Sequence, residues 1–131
     1  MVVSEIMSEK PYAVRVSDRI ATLRAKLKEA DIRHLPVVEA GQLVGIVSER
    51  DLPPLFLGTD GEVSPDPDSD SVVAIMSSDV VVVEPETEVD DVIDLMIEHR
   101  IGALPVVEAG SRHLVGIVSY IDVLRAAKGA L

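Results

Sequence analysis

The spacing of apolar residues changes along this chain in a fixed order, and then the order repeats. Ala13-Val14-Arg15-Val16 is short and alternating, the pattern of a half-exposed strand. From Ile20 the period lengthens: Ile20, Leu23, Leu27 and Ala30 fall on one helix face, with Ser17 or Asp18 placed to cap it. Two β-rich runs follow, Leu35-Pro36-Val37-Val38 and Leu43-Val44-Gly45-Ile46-Val47, joined by a turn at Glu39-Ala40-Gly41-Gln42. So short a connection predicts an antiparallel hairpin. Pro36 and Pro105, having no N–H, belong at a strand start or an edge. A second helix is predicted after Ser48. Pro53 and Pro54 are tolerable only in a first turn, so it should start near Asp51 and run briefly, Leu52 to Leu57.

The same order returns at a constant offset. Ile6-Met7-Ser8 recurs as Ile75-Met76-Ser77, and Gly41 as Gly110, each 69 residues on. Val80-Val81-Val82-Val83 stands for the first strand. Val89, Val92, Ile93 and Met96 make the helix stripe, and Thr87, three before Asp90, resembles a capping box. Leu104-Pro105-Val106-Val107 and Leu114-Val115-Gly116-Ile117-Val118 form the second hairpin, in which Ser111 and Arg112 are inserted. Free of prolines, the last helix should run from Ile121 to Lys128. The chain thus divides into repeats at 1–57 and 72–131, with an acidic, turn-rich linker at 58–71. A repeat this small cannot bury its apolar face alone, so the two should pack against each other as one α+β module.

Composition narrows the chemistry. Of 131 residues, 47% are hydrophobic, enough for a core, and with one Phe and no Trp that core must be aliphatic. A formal charge of −11 repels phosphate backbones, which argues against nucleic-acid binding; an anionic ligand would need a local basic cluster. There is no Cys, so no disulfide or thiolate site. The N-terminus lacks a signal-peptide pattern, and no apolar run approaches the roughly 18 residues that span a bilayer. A soluble cytoplasmic protein, with no membrane partner, is expected. His34, His99 and His113 show no metal-ligand spacing, and Asp90, Asp91 and Asp94 read as helix-surface acids. No phosphate loop or nucleophile elbow is present, so the chain is not expected to be an enzyme.

What remains is a pair of short constellations. Ser48-Glu49-Arg50-Asp51 and Ser119-Tyr120-Ile121-Asp122 each follow a Gly-Ile-Val run. Ser at an N-cap with an acid three residues on satisfies orphan backbone N–H groups. The same pair can hold a ribose, the carboxylate accepting from its 2′- and 3′-hydroxyls. Gly45 and Gly116 interrupt strands, as a bulge or tight packing point does, or as close approach of a ligand requires. Lys26 and Lys28 of the first long helix become Leu95 and Ile97 in the second. That wider apolar stripe suits either a deeper helix or a subunit interface.

Two copies of Leu-Pro-Val-Val followed by Gly-Ile-Val-Ser-x-x-Asp resemble a tandem pair of CBS domains, a Bateman module, from Ile6 to about Ala127. The resemblance implies two β-α-β-β-α repeats with pseudo-twofold symmetry and clefts for AMP, ADP, ATP or S-adenosylmethionine. It implies a regulatory role, a homodimer and a separate effector protein, with no cofactor required. Carried over crosswise, one cleft pairs Ser119 and Asp122 with Tyr12, Ile32, Arg33 and His34. The other pairs Ser48 and Asp51 with Val81, Ile101, Gly102 and Ala103, and has Arg50 as its clearest cation. The Arg33/His34 cleft is expected to favour phosphorylated nucleotides. The alternative from another class is a ligand-independent dimerisation scaffold, built on the Leu95/Ile97 face.

Overall fold

The computed structural model describes residues 1–9, 12–30, 32–53 and 70–129. They form β1 (Ser8–Glu9), β2 (Val14–Arg15), α1 (Ile20–Ala30), β3 (His34–Glu39), β4 (Gln42–Ser48), α2 (Val89–His99), β5 (Ala103–Val107), β6 (Leu114–Ser119) and α3 (Tyr120–Lys128), with 3-10 turns at Val3–Glu5, Glu49–Asp51 and Val72–Ala74. The fold is α+β. Two compact units arise: a repeat-1 unit of Tyr12–Glu39 and Val44–Asp79, and a repeat-2 unit of Met1–Pro11, Ala40–Leu43 and Val80–Leu131.

In the repeat-1 unit the sheet order is β2-β3-β4. β2 runs parallel to β3, with Val14 opposite Val37 and Arg15 opposite Val38. The period read from the sequence sets the core: Leu23 and Leu27 of α1 meet Val14, Leu35, Val37 and Val47 from the sheet. Val72 completes this core although it lies at the head of repeat 2. Ile46 and Ser77 then exchange two backbone hydrogen bonds, each 2.9 Å.

The repeat-2 unit mirrors this. Its sheet order is β1-β6-β5, and β1, from the N-terminus, pairs antiparallel with β6, Ser8 opposite Ile117. Val3 joins Val83, Val92, Leu104, Val106 and Val118 in the core. Each repeat's leading segment therefore packs in the unit built from the other repeat. Val3 and Val72 are both fully buried, an anchor of roughly 1.5–3 kcal/mol apiece. The boundaries of the sequence repeats are consequently not those of the compact units.

The glycines within the strands follow from this exchange. A Cβ on Gly45 would sit 2.7 Å from Met76 Sδ and 2.9 Å from the Ser77 carbonyl oxygen; on Gly116 it would meet Met7 Sδ at 2.7 Å and the Ser8 oxygen at 2.9 Å. Of the two readings open for these glycines, the structure selects the tight packing point. The inserted Ser111-Arg112 also finds a use. Leu43 N–H donates to the Arg112 carbonyl at 2.8 Å, and Arg112 Nε donates to the Leu43 carbonyl at 3.1 Å, so the first hairpin's turn is clasped into the repeat-2 unit.

Several expected elements differ. Val80–Val83 is not a full strand: only Val83 bridges to Val106, its N–H donating to Pro105 and its carbonyl accepting from Val107. Pro85, where repeat 1 has Val16, has no N–H to carry the ladder on. Pro36 lies inside β3, the middle strand, and not at a start or edge; β2 reaches only Val37 and Val38, so the missing N–H breaks no rung there. Neither Asp18 nor Thr87 acts as drawn. Asp18 accepts from Arg15 N–H, and Thr87 Oγ1 from Glu84 N–H, closing turns ahead of the helices; Glu88 is the N-cap of α2. After Asp51 the chain is extended at Leu52 (φ −70°, ψ 133°), as a residue preceding proline prefers. The remainder of the helix expected at 52–57 lies outside the described residues from 54 on, as does the linker expected at 58–71 apart from Asp70 and Ser71.

Candidate functional site

The two Ser-x-x-Asp turns are built alike from their residues up. Ser48 N–H and Oγ donate to Asp51 Oδ2 at 2.8 and 3.1 Å. Ser119 N–H and Oγ donate to Asp122 Oδ2 at 2.8 and 3.0 Å, and Ser119 Oγ accepts from Asp122 N–H at 3.3 Å, capping α3. One carboxylate oxygen is thus spent on capping. Oδ1 of each Asp receives no hydrogen bond among the described residues, which leaves an acceptor for hydroxyls brought by a ligand. Capping and sugar binding are compatible because they use different oxygens.

A second backbone bond fixes what stands beside each turn. Glu49 N–H donates to the Arg33 carbonyl at 2.8 Å, and Tyr120 N–H to the Gly102 carbonyl at 2.9 Å. Each turn is therefore tied to the residues just ahead of its own hairpin. The chain arrives there through equivalent bonds, Ile32 N–H to Leu27 and Ile101 N–H to Met96, both 3.1 Å. Ile32 and Ile101 pack on their respective cores.

The repeat-1 unit accordingly gathers Ile32, Arg33, His34, Ser48, Arg50 and Asp51. Arg33 Nη1 lies 3.4 Å from Glu49 Oε2, with both side chains well exposed, a pair worth little by itself and easily exchanged for a ligand. His34 is half-buried. Burial lowers its pKa below the usual 6.5, Asp51 opposes that by raising it, and Arg50 and Arg33 lower it further. Tyr12 belongs to this unit and is exposed, and no hydrogen bond among the described residues joins it to the group.

The repeat-2 unit gathers Ile101, Gly102, Ala103, Ser119 and Asp122, with Val81 packed on its core. Tyr120 and Ile121, exposed on α3, stand where repeat 1 has Glu49 and Arg50. Within each unit the hairpin head and the Ser-x-x-Asp turn of the same repeat are neighbours. Arg33 and His34, drawn with Ser119 and Asp122, lie beside Ser48 and Asp51. Gly102 and Ala103, drawn with Ser48 and Asp51, lie beside Ser119 and Asp122. Arg50, drawn as the cation of the other cleft, joins Arg33 and His34. Within its own unit the Ser48/Asp51 turn has three basic side chains near it, and the Ser119/Asp122 turn has none from the counterpart positions. The signal for this placement is that a single hairpin spans Arg33 to Ser48, and another spans Gly102 to Ser119.

The Leu95/Ile97 face also divides. Leu95 packs on the repeat-2 core, while Ile97 is 71% exposed, as two residues 200° apart on a helix must be. Among the described residues, no group of three His, Cys, Asp or Glu is placed to hold a metal ion. No helix among them is long and apolar enough to cross a membrane.

Two α+β repeats, each presenting a Ser-x-x-Asp turn locked to the head of a hairpin, define a duplicated module. The CBS domain family profile matches residues 3–52 and 72–129, and the chain belongs to that family as a tandem CBS pair. It is 35% identical over 95% of its length to an uncharacterised protein of Methanocaldococcus jannaschii, and spans 43% of that relative's length. Among solved structures, it is similar to the CBS domain pair of protein MJ0100 in complex with 5′-methylthioadenosine and S-adenosyl-L-methionine: TM-score 0.82, 26% identity, covering 100% of this chain and 98% of that one. It is likewise similar to CBSX2 in complex with AMP, with TM-score 0.81, 25% identity, and 98% and 97% covered.

Proposed function

We propose that this chain is a regulatory module that binds adenosine-containing ligands at two unequal sites and signals to a separate effector protein. The observation that carries the reading is the pair of Ser-x-x-Asp turns, each with one carboxylate oxygen used and one available. The complexes of the similar CBS pairs, with AMP in one case and 5′-methylthioadenosine and S-adenosyl-L-methionine in the other, support the ligand class. Asp51 and Asp122 accept from ribose hydroxyls, Ile32 and Ile101 flank adenine, and Tyr12 and Val81 extend the apolar walls.

The neighbours of each turn set selectivity. Arg33, His34 and Arg50 favour a phosphorylated ligand such as AMP, ADP or ATP, since guanidinium groups grip phosphate with parallel hydrogen bonds. The Ser119/Asp122 site offers Tyr120 and Ile121 at the counterpart positions and favours a less anionic adenosine ligand, S-adenosylmethionine among the candidates. Binding acts by linkage: a ligand that prefers one arrangement of the module shifts the population toward it, and the effector reads the shift. The module works as a homodimer in this reading. Calorimetry with AMP, ATP and S-adenosylmethionine, on protein stripped of co-purified ligand, tests it. Sub-millimolar binding of at least one is expected, and binding of none overturns it in favour of a ligand-independent scaffold.

A further inference from the structure

The internal repeat marks a second place where the units differ, at residues that belong to neither Ser-x-x-Asp turn. In the repeat-1 unit the side chain of Lys26 on α1 reaches the chain ahead of β2, where its ammonium donates to the Ala13 carbonyl at 2.8 Å. At the constant offset of 69, Lys26 becomes Leu95 and Ala13 becomes Val82. Leu95 has no hydrogen to donate and ends short of where an ammonium would lie. A groove of about 380 Å3 opens there, walled by Val82, Val83, Leu95 and Val107, with Glu84 and Gly110 at its rim.

The rim changes charge in the same step. Glu84 stands where repeat 1 has Arg15. Its carboxylate is held by Gly110 N–H donating to Oε2 at 3.2 Å, and its own N–H donates to Thr87 Oγ1 at 3.0 Å. Repeat 1 therefore carries an internal cation and a cationic rim, whereas repeat 2 has lost the cation and gained a fixed carboxylate facing the vacated space. With a formal charge of −11, the whole chain draws cations toward it.

We propose that this groove binds a free linear aliphatic amine. Its ammonium takes the place of Lys26 Nζ, donating to the Val82 carbonyl and the Glu84 carboxylate, and its methylene stem lies on Val83, Leu95 and Val107. A free amine is the occupant because the groove is larger than one lysine stem and opens to solvent.

The probe is 1,4-diaminobutane, titrated into the uniformly 15N-labelled full chain, with 1-butanol as the uncharged control. Saturable shifts are expected at the amides of Glu84, Thr87, Gly110 and Ser111 with the diamine and not with the alcohol. Glu84→Gln, an exposed change that leaves the core intact, should weaken half-saturation about tenfold by removing a charge-assisted bond. Leu95→Lys, which gives repeat 2 its own internal ammonium, should abolish binding. Shifts spread over the acidic surface without saturation, equal shifts with butanol, or an unchanged titration in Glu84→Gln overturn the proposal. Saturation of the same amides by Nα-acetyl-lysine methylamide but not by the diamine overturns the free amine in favour of a partner's lysine.

Discussion

Replacing Gly45 or Gly116 by alanine probes the exchanged leading segments directly. The new methyl group would meet a methionine sulfur at 2.7 Å and a backbone oxygen at 2.9 Å in either unit. The sulfur ends a flexible side chain and can swing aside. The oxygen cannot, because Ser77 exchanges two 2.9 Å bonds with Ile46, and Ser8 is paired in β1 against Ile117. Overpacking of this kind costs about 1–3 kcal/mol, and weakening the adjoining rungs adds about 1 kcal/mol. The sum, about 2–4 kcal/mol, corresponds to a fall in melting temperature of roughly 10 °C. Gly110→Ala is the control. It has φ +76° and nothing within 4 Å, so only the left-handed backbone penalty applies, about 1 kcal/mol. Thermal unfolding followed by circular dichroism should rank Gly45→Ala and Gly116→Ala well below Gly110→Ala. Equal melting temperatures for all three would refute the packing argument.

His34 makes two pH predictions that share one cause. The unfolded chain takes up the proton at about 6.5 while the folded chain resists it, so stability falls as pH drops through 6.5 and levels off below the lowered folded value. A bound phosphate favours the protonated ring, so ATP affinity should rise over the same descent, and His34→Gln should flatten both profiles. Arg50→Ile, which copies repeat 2 into repeat 1, should weaken ATP by about tenfold and leave adenosine binding nearly unchanged, as calorimetry would show. For the homodimer, Ile97→Lys should lower the mass seen by light scattering while the chain stays folded by circular dichroism, because Ile97 is 71% exposed and lies outside the core of its own unit.

Local patterns were legible in the sequence wherever one element determined them. The face of α1 carrying Ile20, Leu23 and Leu27 is buried as its spacing requires, and the Ser119/Asp122 cap is present as drawn. What escaped was set by contacts remote in sequence. Nothing in Val3 or Val72 announces that each completes the core of the opposite repeat. The placement of Arg33 beside the Ser48/Asp51 turn depends on one backbone bond, Glu49 N–H to the Arg33 carbonyl, which no periodicity encodes. Leu95 and Ile97 share a substitution pattern, Lys in repeat 1 and apolar in repeat 2, though helix geometry places them on opposite sides.

In the proposed function the basic cluster and Asp51 form one phosphate-preferring site. ATP binding measured calorimetrically on Asp51→Ala and Asp122→Ala tests it most directly. Losing the ribose acceptor beside Arg33, His34 and Arg50 should weaken the tighter ATP event about tenfold or more in Asp51→Ala, with Asp122→Ala leaving that event intact. The reverse order, with Asp122→Ala abolishing the tighter event and Asp51→Ala sparing it, would contradict the grouping on which the proposed function stands.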